Sequence, residues 1–142
     1  MFKIRYVSES DKSFWFALDQ HLSKREFELK VRDKRGYIIS DKDNPIGVMR
    51  YNLFWDTTPF LTLIYLEEYS RGRGFGKQAI LFWENEMRGL GYKMVMTSTQ
   101  VDESAQHFYR ALGYIERGSL FLDNTPIVQP QEMFMLKIIS HA

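Results

Sequence analysis

The chain has 142 residues, of which 44% are hydrophobic and 26% charged, so its length and composition are those of one ordinary globular domain. Lys and Arg (19) balance Asp and Glu (18), and a net charge of +1 gives no support to nucleic-acid binding through bulk charge. The sequence contains no cysteine, which excludes disulfides, thiolate metal ligands and a cysteine nucleophile.

The sequence shows neither an export signal nor a membrane-spanning segment. Residues 1–7 (MFKIRYV) alternate between apolar and charged side chains, unlike the continuous apolar stretch of a signal peptide. The longest apolar stretch, at residues 60–66 (FLTLIYL), is far shorter than the roughly 20 residues that cross a bilayer. We therefore expect a soluble, cytoplasmic protein without a membrane partner.

The first half of the chain predicts one strand, two helices and three further strands. Alternation over residues 1–7 predicts the first strand. Phe14, Leu18 and Leu22 follow helical spacing, and a weaker helix over residues 23–35 is expected to end at Gly36. Strands follow at residues 37–40, 46–55 and 60–66, separated by the turns DKDNP and DTTP. The third of these strands looks buried on both faces.

The second half predicts two helices that alternate with strands. One helix spans residues 75–90, and its apolar face consists of Ala79, Ile80, Trp83, Met87 and Leu90. A strand at residues 94–96 precedes a helix at 103–112, capped by Asp102, and two strands near 114–122 and 133–139 follow. The order β-α-α-β-β-β-α-β-α-β-β predicts an α/β (α+β) fold, in which a mixed central sheet has helices on both faces. We expect one domain over residues 1–142.

A glycine-rich basic segment between the strand at 60–66 and the helix at 75–90 is the strongest functional signal. Residues 71–77 read RGRGFGK. Glycines let the main chain adopt positive φ and leave N–H groups unshielded at a helix N-terminus, where the helix dipole favours an anion. Arg71, Arg73 and Lys77 crowd the same end, where cations alone are disfavoured. The pattern therefore predicts a phosphate-binding loop rather than a solvated surface turn.

Two common nucleotide-binding loops do not fit this segment. The P-loop pattern G-x-x-x-x-G-K-[ST] would have Arg71 at its first glycine position and Gln78 after Lys77. The Rossmann pattern G-x-G-x-x-G would have Lys77 at its third glycine position, and the next strand, MVMTSTQ, lacks the expected acidic residue. A nucleotide-binding protein with a different use of RGRGFGK stays open as an alternative.

The segment does fit R-x-x-G-x-G, formed by Arg71, Gly74 and Gly76. In this the chain resembles the GNAT superfamily of acetyl-CoA-dependent N-acetyltransferases, whose pyrophosphate loop has the pattern [QR]-x-x-G-x-[GA]. Further along, members usually carry N-x-x-A-x-x-x-Y-x-x-x-G-[FY]. The residues at this spacing here are Asp102, Ala105, Tyr109, Gly113 and Tyr114. The order of elements is also that of the family, so the resemblance covers nearly the whole chain.

The resemblance implies a site for acetyl-CoA as co-substrate. The main chain at the end of one strand would pair with the pantetheine arm, at Ile64, Tyr65 and Leu66. The pyrophosphate would lie against backbone N–H groups of a loop headed by Arg71, that is, of Gly72, Arg73, Gly74, Phe75, Gly76 and Lys77. Tyr109 takes the position of the family's general acid, which protonates the departing thiolate of CoA. A tyrosine suits this role because its ordinary pKa of about 10 keeps the proton available at neutral pH.

Two positions depart from the family pattern. Asp102 replaces the usual asparagine, and because a carboxylate cannot donate the hydrogen bond of an amide, its contact with CoA is in question. Some members carry a glutamate on the strand before the second motif, and the corresponding residue here is about Thr97, so this glutamate is missing. The identity of the general base therefore stays open. Glu67, Glu68, an ordered water or an amine that is already neutral are the alternatives.

The resemblance further implies transfer to a primary amine of a small molecule or a peptide. Without cysteine to hold an acetyl group, we expect direct attack in a ternary complex. In the family, acceptor specificity resides in the first two helices and the hairpin after them. Four aromatic residues there are candidates for the wall of the acceptor-binding site, called the acceptor wall below: Phe14, Trp15, Tyr51 and Trp55. Tyr51 and Trp55 lie in a strand with alternating apolar residues, a pattern that core residues also have.

Three further expectations concern alternatives and partners. A CoA-binding sensor without turnover is the rival interpretation, supported by Asp102 and by the missing glutamate. His21, His107 and His141 have no metal-ligand spacing, so we expect no metal. Exposed sheet edges and aromatic C-terminal strands make a homodimer an expectation.

Overall fold

The computed structural model describes residues 1–140, and within them the chain forms seven strands and four α-helices. The strands are β1 (Phe2–Tyr6), β2 (Gly36–Asp41), β3 (Asn44–Phe54), β4 (Thr58–Leu66), β5 (Met94–Gln100), β6 (Ile115–Leu120) and β7 (Glu132–Ile138). The helices are α1 (Lys12–Leu18), α2 (Lys24–Asp33), α3 (Phe75–Gly89) and α4 (Ala105–Ala111). The predicted order of elements is confirmed.

The strands form one mixed sheet in the order β1-β2-β3-β4-β5-β7-β6. β4 and β5 are parallel, as a strand-helix-strand crossover through α3 allows. The β1–β2, β2–β3, β5–β7 and β6–β7 pairs are antiparallel. Lys42 and Asp43, with φ of 52° and 67°, close the tight hairpin between β2 and β3. The predicted mixed sheet is confirmed.

The chain divides into two compact units, which are described separately. The first consists of Met1–Asn52 and Thr62–Trp83, and the second consists of Leu53–Leu61 and the chain from Glu84 onward.

The first unit has helices on both faces of its strands. Ile38 of β2 packs on one face with Trp15 of α1 and Phe27 of α2. Successive strand residues point to opposite faces, and Tyr37 accordingly contacts Phe82 of α3, with ring centroids 6.4 Å apart. Within this unit, the predicted cover on both faces is confirmed.

The second unit has an apolar core with one buried acidic group. Val95 of β5 and Met135 of β7 are fully buried. Glu84 is 2% exposed, and its carboxylate accepts hydrogen bonds from the Tyr114 hydroxyl at 2.8 Å and from Lys137 Nζ at 2.7 Å. These bonds satisfy a charge that would be costly to bury alone.

The C-terminal ends of the first two helices differ from the prediction. α1 ends at Leu18, so Leu22 lies beyond it. α2 gives way to Lys34 in the left-handed conformation, with φ of 57°, rather than to Gly36. Gly36 is the first residue of β2, where a Cβ would lie 2.8 Å from Cγ1 of Val7. The glycine therefore serves close packing, not helix termination.

Two expectations about burial are wrong. β4 is not buried on both faces, because Leu61 is 2% exposed whereas Thr62 and Tyr65 are exposed. Leu90 is 63% exposed, since α3 ends at Gly89 and the chain turns away from the buried helix face.

Candidate functional site

The loop before α3 depends on two glycines in the left-handed conformation. Gly72 and Gly74 have φ of 73° and 85°. A Cβ at either position would meet no atom within 4 Å, so backbone conformation rather than crowding requires glycine there. The two residues leave the main chain of the loop uncovered by side chains.

The first turn of α3 presents N–H groups without acceptors. The first backbone bond of the helix runs from Gln78 N to Gly74 O at 3.1 Å. Within residues 1–140, the N–H groups of Phe75, Gly76 and Lys77 donate no hydrogen bond. At the N-terminus of a 15-residue helix these donors and the helix dipole favour an anion.

The three cations of the loop have different environments. Arg71 donates from Nε to Leu66 O at 3.0 Å, and its guanidinium lies 4.9 Å from the centre of the Tyr65 ring. The Arg73 guanidinium lies over the Phe75 ring, and one of its nitrogens is 3.4 Å from a carboxylate oxygen of Asp41 in β2. Lys77 is exposed and forms no ion pair with another described residue. Arg71 thus ties the loop to β4, while Lys77 has its charge available for a ligand.

The end of β4 is held by β3. Glu67 N donates to Ile46 O at 2.8 Å, and a Cβ on Gly47 would lie 2.8 Å from Tyr65 O, so the two main chains are in close contact. The parallel pairing of β4 with β5 consists of two positions, Phe60 opposite Met96 and Leu61 opposite Thr97. Ile64, Tyr65 and Leu66 lie beyond the last of these pairs.

Tyr109 is a buried tyrosine of α4. It is 6% exposed, and its ring contacts those of Phe108 and Tyr114 at 5.2 and 5.4 Å. Burial raises the pKa of the Tyr109 phenol, and the hydrogen bond with Thr97 opposes this effect more weakly. Tyr109 therefore keeps its proton at neutral pH. Phe108, the preceding residue of α4, is 37% exposed.

Thr97 stands where some family members have a glutamate, and its role here is different. Its hydroxyl donates to Leu61 O at 3.0 Å, and the residue is 2% exposed. Thr97 therefore supports the last β4–β5 pair and the Tyr109 phenol.

The expected helix cap at Asp102 is wrong. α4 begins at Ala105 with Ser104 as its N-cap, and Asp102 lies exposed in the preceding turn. The Glu103 carboxylate accepts from Gln100 N at 2.9 Å and stabilises that turn, which delays the start of the helix.

Most of the aromatic residues expected to form the acceptor wall lie in the hydrophobic core instead. Trp15 is fully buried, Tyr51 is 5% exposed, and Phe14 packs against the core of the first unit, whereas Trp55 is 81% exposed. These aromatic side chains fill the space between helices and strands that the fold must exclude from water.

A cavity near β4 was not foreseen. The α1–β4 cavity, of about 380 Å³, is lined by residues 17–21 together with Leu63 and Tyr65. It depends on the chain leaving α1 at Asp19, which no local pattern indicated. A cavity of about 540 Å³ at β1 shares no lining residue with it or with the loop.

The described part of the chain has neither a cluster of side chains suited to a metal ion nor a helix that could span a membrane. Residues 1–140 contain no group of three or more His, Cys, Asp or Glu side chains placed to hold a metal ion, and His141 lies outside them. None of the described helices is long and apolar enough to cross a membrane.

These features define a mixed α+β protein in which a glycine-rich basic loop and unpaired N–H groups lie at the start of the helix that follows the fourth strand. The sequence model of the acetyltransferase (GNAT) family matches residues 4–114, and the chain belongs to this family. The resemblance seen in the sequence is confirmed. No curated protein matches the chain.

Solved structures share the fold. The ribosomal-protein-S18-alanine N-acetyltransferase of Escherichia coli is similar over 100% of this chain and 96% of its own, with a TM-score of 0.83 and 16% identity. Ard1 from Thermoplasma volcanium is similar over 96% and 97%, with a TM-score of 0.83 and 16% identity. A GNAT family acetyltransferase from Elizabethkingia anophelis, solved with acetyl-CoA bound, is similar over 96% and 97%, with a TM-score of 0.76 and 16% identity.

Proposed function

We propose that the protein is an N-acetyltransferase that moves an acetyl group from acetyl-CoA to a primary amine of a small molecule or a peptide. The observation that carries this proposal is the first turn of α3, whose unpaired N–H groups and neighbouring cations suit a pyrophosphate. Family membership and the acetyl-CoA in the Elizabethkingia anophelis relative support acetyl-CoA as the co-substrate.

With the exception of Asp102, the residues that hold CoA in this proposal belong to the first unit. The backbone from Gly72 to Lys77 binds the pyrophosphate, and the charges of Arg73 and Lys77 complement it. Arg71 acts indirectly, since its bond to Leu66 O fixes the loop against β4. The main chain of Ile64, Tyr65 and Leu66 pairs with the pantetheine arm. Asp102 is a CoA neighbour by its position in the motif alone.

Tyr109 is the proposed general acid. It donates its proton to the sulfur as the C–S bond breaks, and burial supports the role because it keeps the phenol protonated until that step. The amine attacks the thioester directly, because the chain has no cysteine for an acetyl intermediate. The amine and the thioester must therefore be bound together, and much of the rate enhancement comes from their positioning.

Glu67 and Glu68, the two glutamates considered as general base, differ in their surroundings. Glu67 is half-buried and hydrogen-bonded with Tyr69, whose pKa this bond raises, so its carboxylate already has a partner. Glu68 is exposed beside it. Neither lines the α1–β4 cavity.

Thermal shift and mass spectrometry test the proposal. Acetyl-CoA at 100 times its Kd is expected to add about 2.7 kcal/mol to the free energy of unfolding, with no comparable effect of NAD or ATP. Incubation with acetyl-CoA and a panel of amines, including peptides with N-terminal alanine and diamines, is expected to give an acetylated product. Tight acetyl-CoA binding without any product favours the sensor. Stabilisation by ATP but not by acetyl-CoA overturns the proposal.

We also propose that residues 1–142 act as one N-acetyltransferase domain, because the family match at 4–114 includes residues of both units. Urea unfolding is then expected to be a single transition. Fluorescence of Trp15 and Trp83 in the first unit, measured in a Trp55→Phe variant because Trp55 belongs to the second unit, and NMR signals of the Met133 and Met135 methyl groups in the second should give the same midpoint. Separate midpoints would contradict it. A homodimer stays a prediction, for sedimentation to check.

A further inference from the structure

The α1–β4 cavity adjoins the strand segment to which the proposed function assigns the pantetheine arm. Leu63 and Tyr65, which line it, flank Ile64 in sequence. Its volume of about 380 Å³ is that of a site for a small molecule or for the end of a peptide. The opposite wall is the turn at residues 17–21 where the chain leaves α1.

A buried carboxylate fixes this turn. The Asp19 side chain is fully buried and accepts from Trp15 Nε1 at 3.1 Å and from Arg50 Nε at 2.8 Å. Its other oxygen accepts from the backbone N of His21 at 3.3 Å. The carboxylate therefore joins α1, β3 and the main chain of His21, so the backbone of the cavity wall is held in place.

His21 is the wall residue with a basic atom to offer. Asp19 uses both carboxylate oxygens within the protein, and the amide of Gln20 is not a base. Tyr65 lies against the Arg71 guanidinium. The imidazole of His21 is exposed and makes no side-chain hydrogen bond with a described residue. Imidazole is also the side chain whose ordinary titration lies nearest to neutral pH.

We propose that His21 is the general base of the transfer, acting on an amine acceptor held in the α1–β4 cavity. This cavity lies beside the turn after α1, in the region to which the family resemblance assigns acceptor specificity. The inference rests on the proposed function and supplies the group that it left open. The amine nitrogen forms a bond to the acetyl carbonyl carbon and gives one proton to a ring nitrogen of His21. The C–S bond breaks, and the sulfur takes its proton from Tyr109. His21 then returns its proton to water, and Tyr109 regains one from water.

The charges on the cavity wall suit this role. The titratable side chains that line it are Asp19, His21 and Tyr65. The Asp19 charge is neutralised by Arg50 of β3, and the Arg71 guanidinium lies at the Tyr65 ring. The lining residues therefore place no unpaired carboxylate beside His21.

The His21→Asn variant tests the role in catalysis. With the amine of highest turnover in the panel, kcat/KM at pH 7 is expected to fall about 100-fold, the lower end of the range for general base catalysis. The loss should shrink as the pH rises, because hydroxide replaces the missing base. The thermal shift with acetyl-CoA should stay that of the wild type. The matched control is His107→Asn, an exposed histidine of α4, which should keep the wild-type pH profile.

The outcomes separate the inference from the proposed function. Turnover that survives His21→Asn with an unchanged pH profile overturns the role of His21 and leaves the proposed function standing. Absence of wild-type turnover with every amine overturns the proposed function, and the role of His21 with it.

NMR tests the placement of the acceptor. The CoA-saturated protein is titrated with a hexapeptide that has an N-terminal alanine and with 1,4-diaminobutane. Backbone amide signals of residues 17–21, Leu63 and Tyr65 are expected to shift. Shifts confined to other residues overturn the placement.

Discussion

Tyr109 combines a buried ring with a hydroxyl that remains protonated at neutral pH, because burial raises its pKa. The sequence motif indicates only its position in a helix. Burial adds the physical reason why a phenol there can act as an acid, since the low dielectric disfavours the phenolate until a developing thiolate offers a better place for the proton.

Replacement of Tyr109 by Phe tests this role. We expect kcat to fall about 100-fold, because the departing sulfur loses its proton donor, while acetyl-CoA still raises the melting temperature. Steady-state kinetics and thermal shift measure the two effects. Tyr92→Phe is the control, and an unchanged kcat in Tyr109→Phe would contradict the assignment.

Asp19 is a buried ion-pair partner, and its loss is expected to destabilise the fold. Asp19→Ala leaves Arg50, whose side chain is 12% exposed, without its carboxylate, and should lower the free energy of unfolding by about 3–5 kcal/mol. Urea unfolding measures this. Asp33→Ala, which removes the exposed pair with Arg32, is the control and should have little effect. Equal stability of the two variants would show that the Asp19 pair is not a structural anchor.

Among the elements, the loop and the start of α3 combine two features that favour an anion, because the uncovered glycine backbone and the positive end of the helix dipole lie at the same place. The cations of the segment do not all have their charge available for an anion. Arg71 bonds to the end of β4, so the loop that we propose to bind pyrophosphate is also tied to the strand to which we assign the pantetheine arm.

The left-handed glycine of this element can be tested against a helical one. Gly74→Ala should lower the free energy of unfolding by about 1–2 kcal/mol, since φ of 85° is unfavourable for alanine, and should weaken acetyl-CoA binding further. Gly89→Ala, at the end of α3 with no atom within 4 Å of the added Cβ, should be neutral or stabilising. Isothermal titration and urea unfolding give both quantities. Similar acetyl-CoA affinities in the two variants would contradict the loop assignment.

At the scale of the whole molecule, buried tyrosines link stability to high pH. Burial raises the pKa of Tyr114, with Glu84 as a second cause, and burial also raises that of Tyr109. In the unfolded chain both groups release protons near their ordinary pKa of about 10. The unfolded state therefore loses protons first as the pH rises, and this favours unfolding.

Stability is accordingly expected to be fully present below about pH 10 and to fall above it, by up to about 1.4 kcal/mol per pH unit for each tyrosine. Urea unfolding between pH 8 and 11 measures the slope. Tyr114→Phe should flatten the slope, whereas Tyr92→Phe should keep it. A wild-type slope in Tyr114→Phe would contradict the coupling.

Features encoded by residues that are neighbours in the chain could be predicted without the structure. The glycine-rich segment lies within seven consecutive positions, and hydrophobic periodicity is a local property, so the order of elements and the family could both be predicted, whereas the phosphate-binding role of the segment stays a prediction. Helix ends were predicted less well. The sequence pattern placed Leu22 in the first helix and the end of the second helix at Gly36. In the structure the backbone leaves the helical conformation earlier, at Asp19 and Lys34.

Tertiary structure alone decided which side chains are core and which line a cavity. Trp15 and Tyr51 are aromatic residues of the kind that line ligand sites, but packing against residues distant in the chain buries them. The α1–β4 cavity requires Asp19 to meet Arg50, 31 residues later in the chain. Such pairings arise only when the strands bring remote segments together, because burial and long-range contacts are properties of the fold and not of any local pattern.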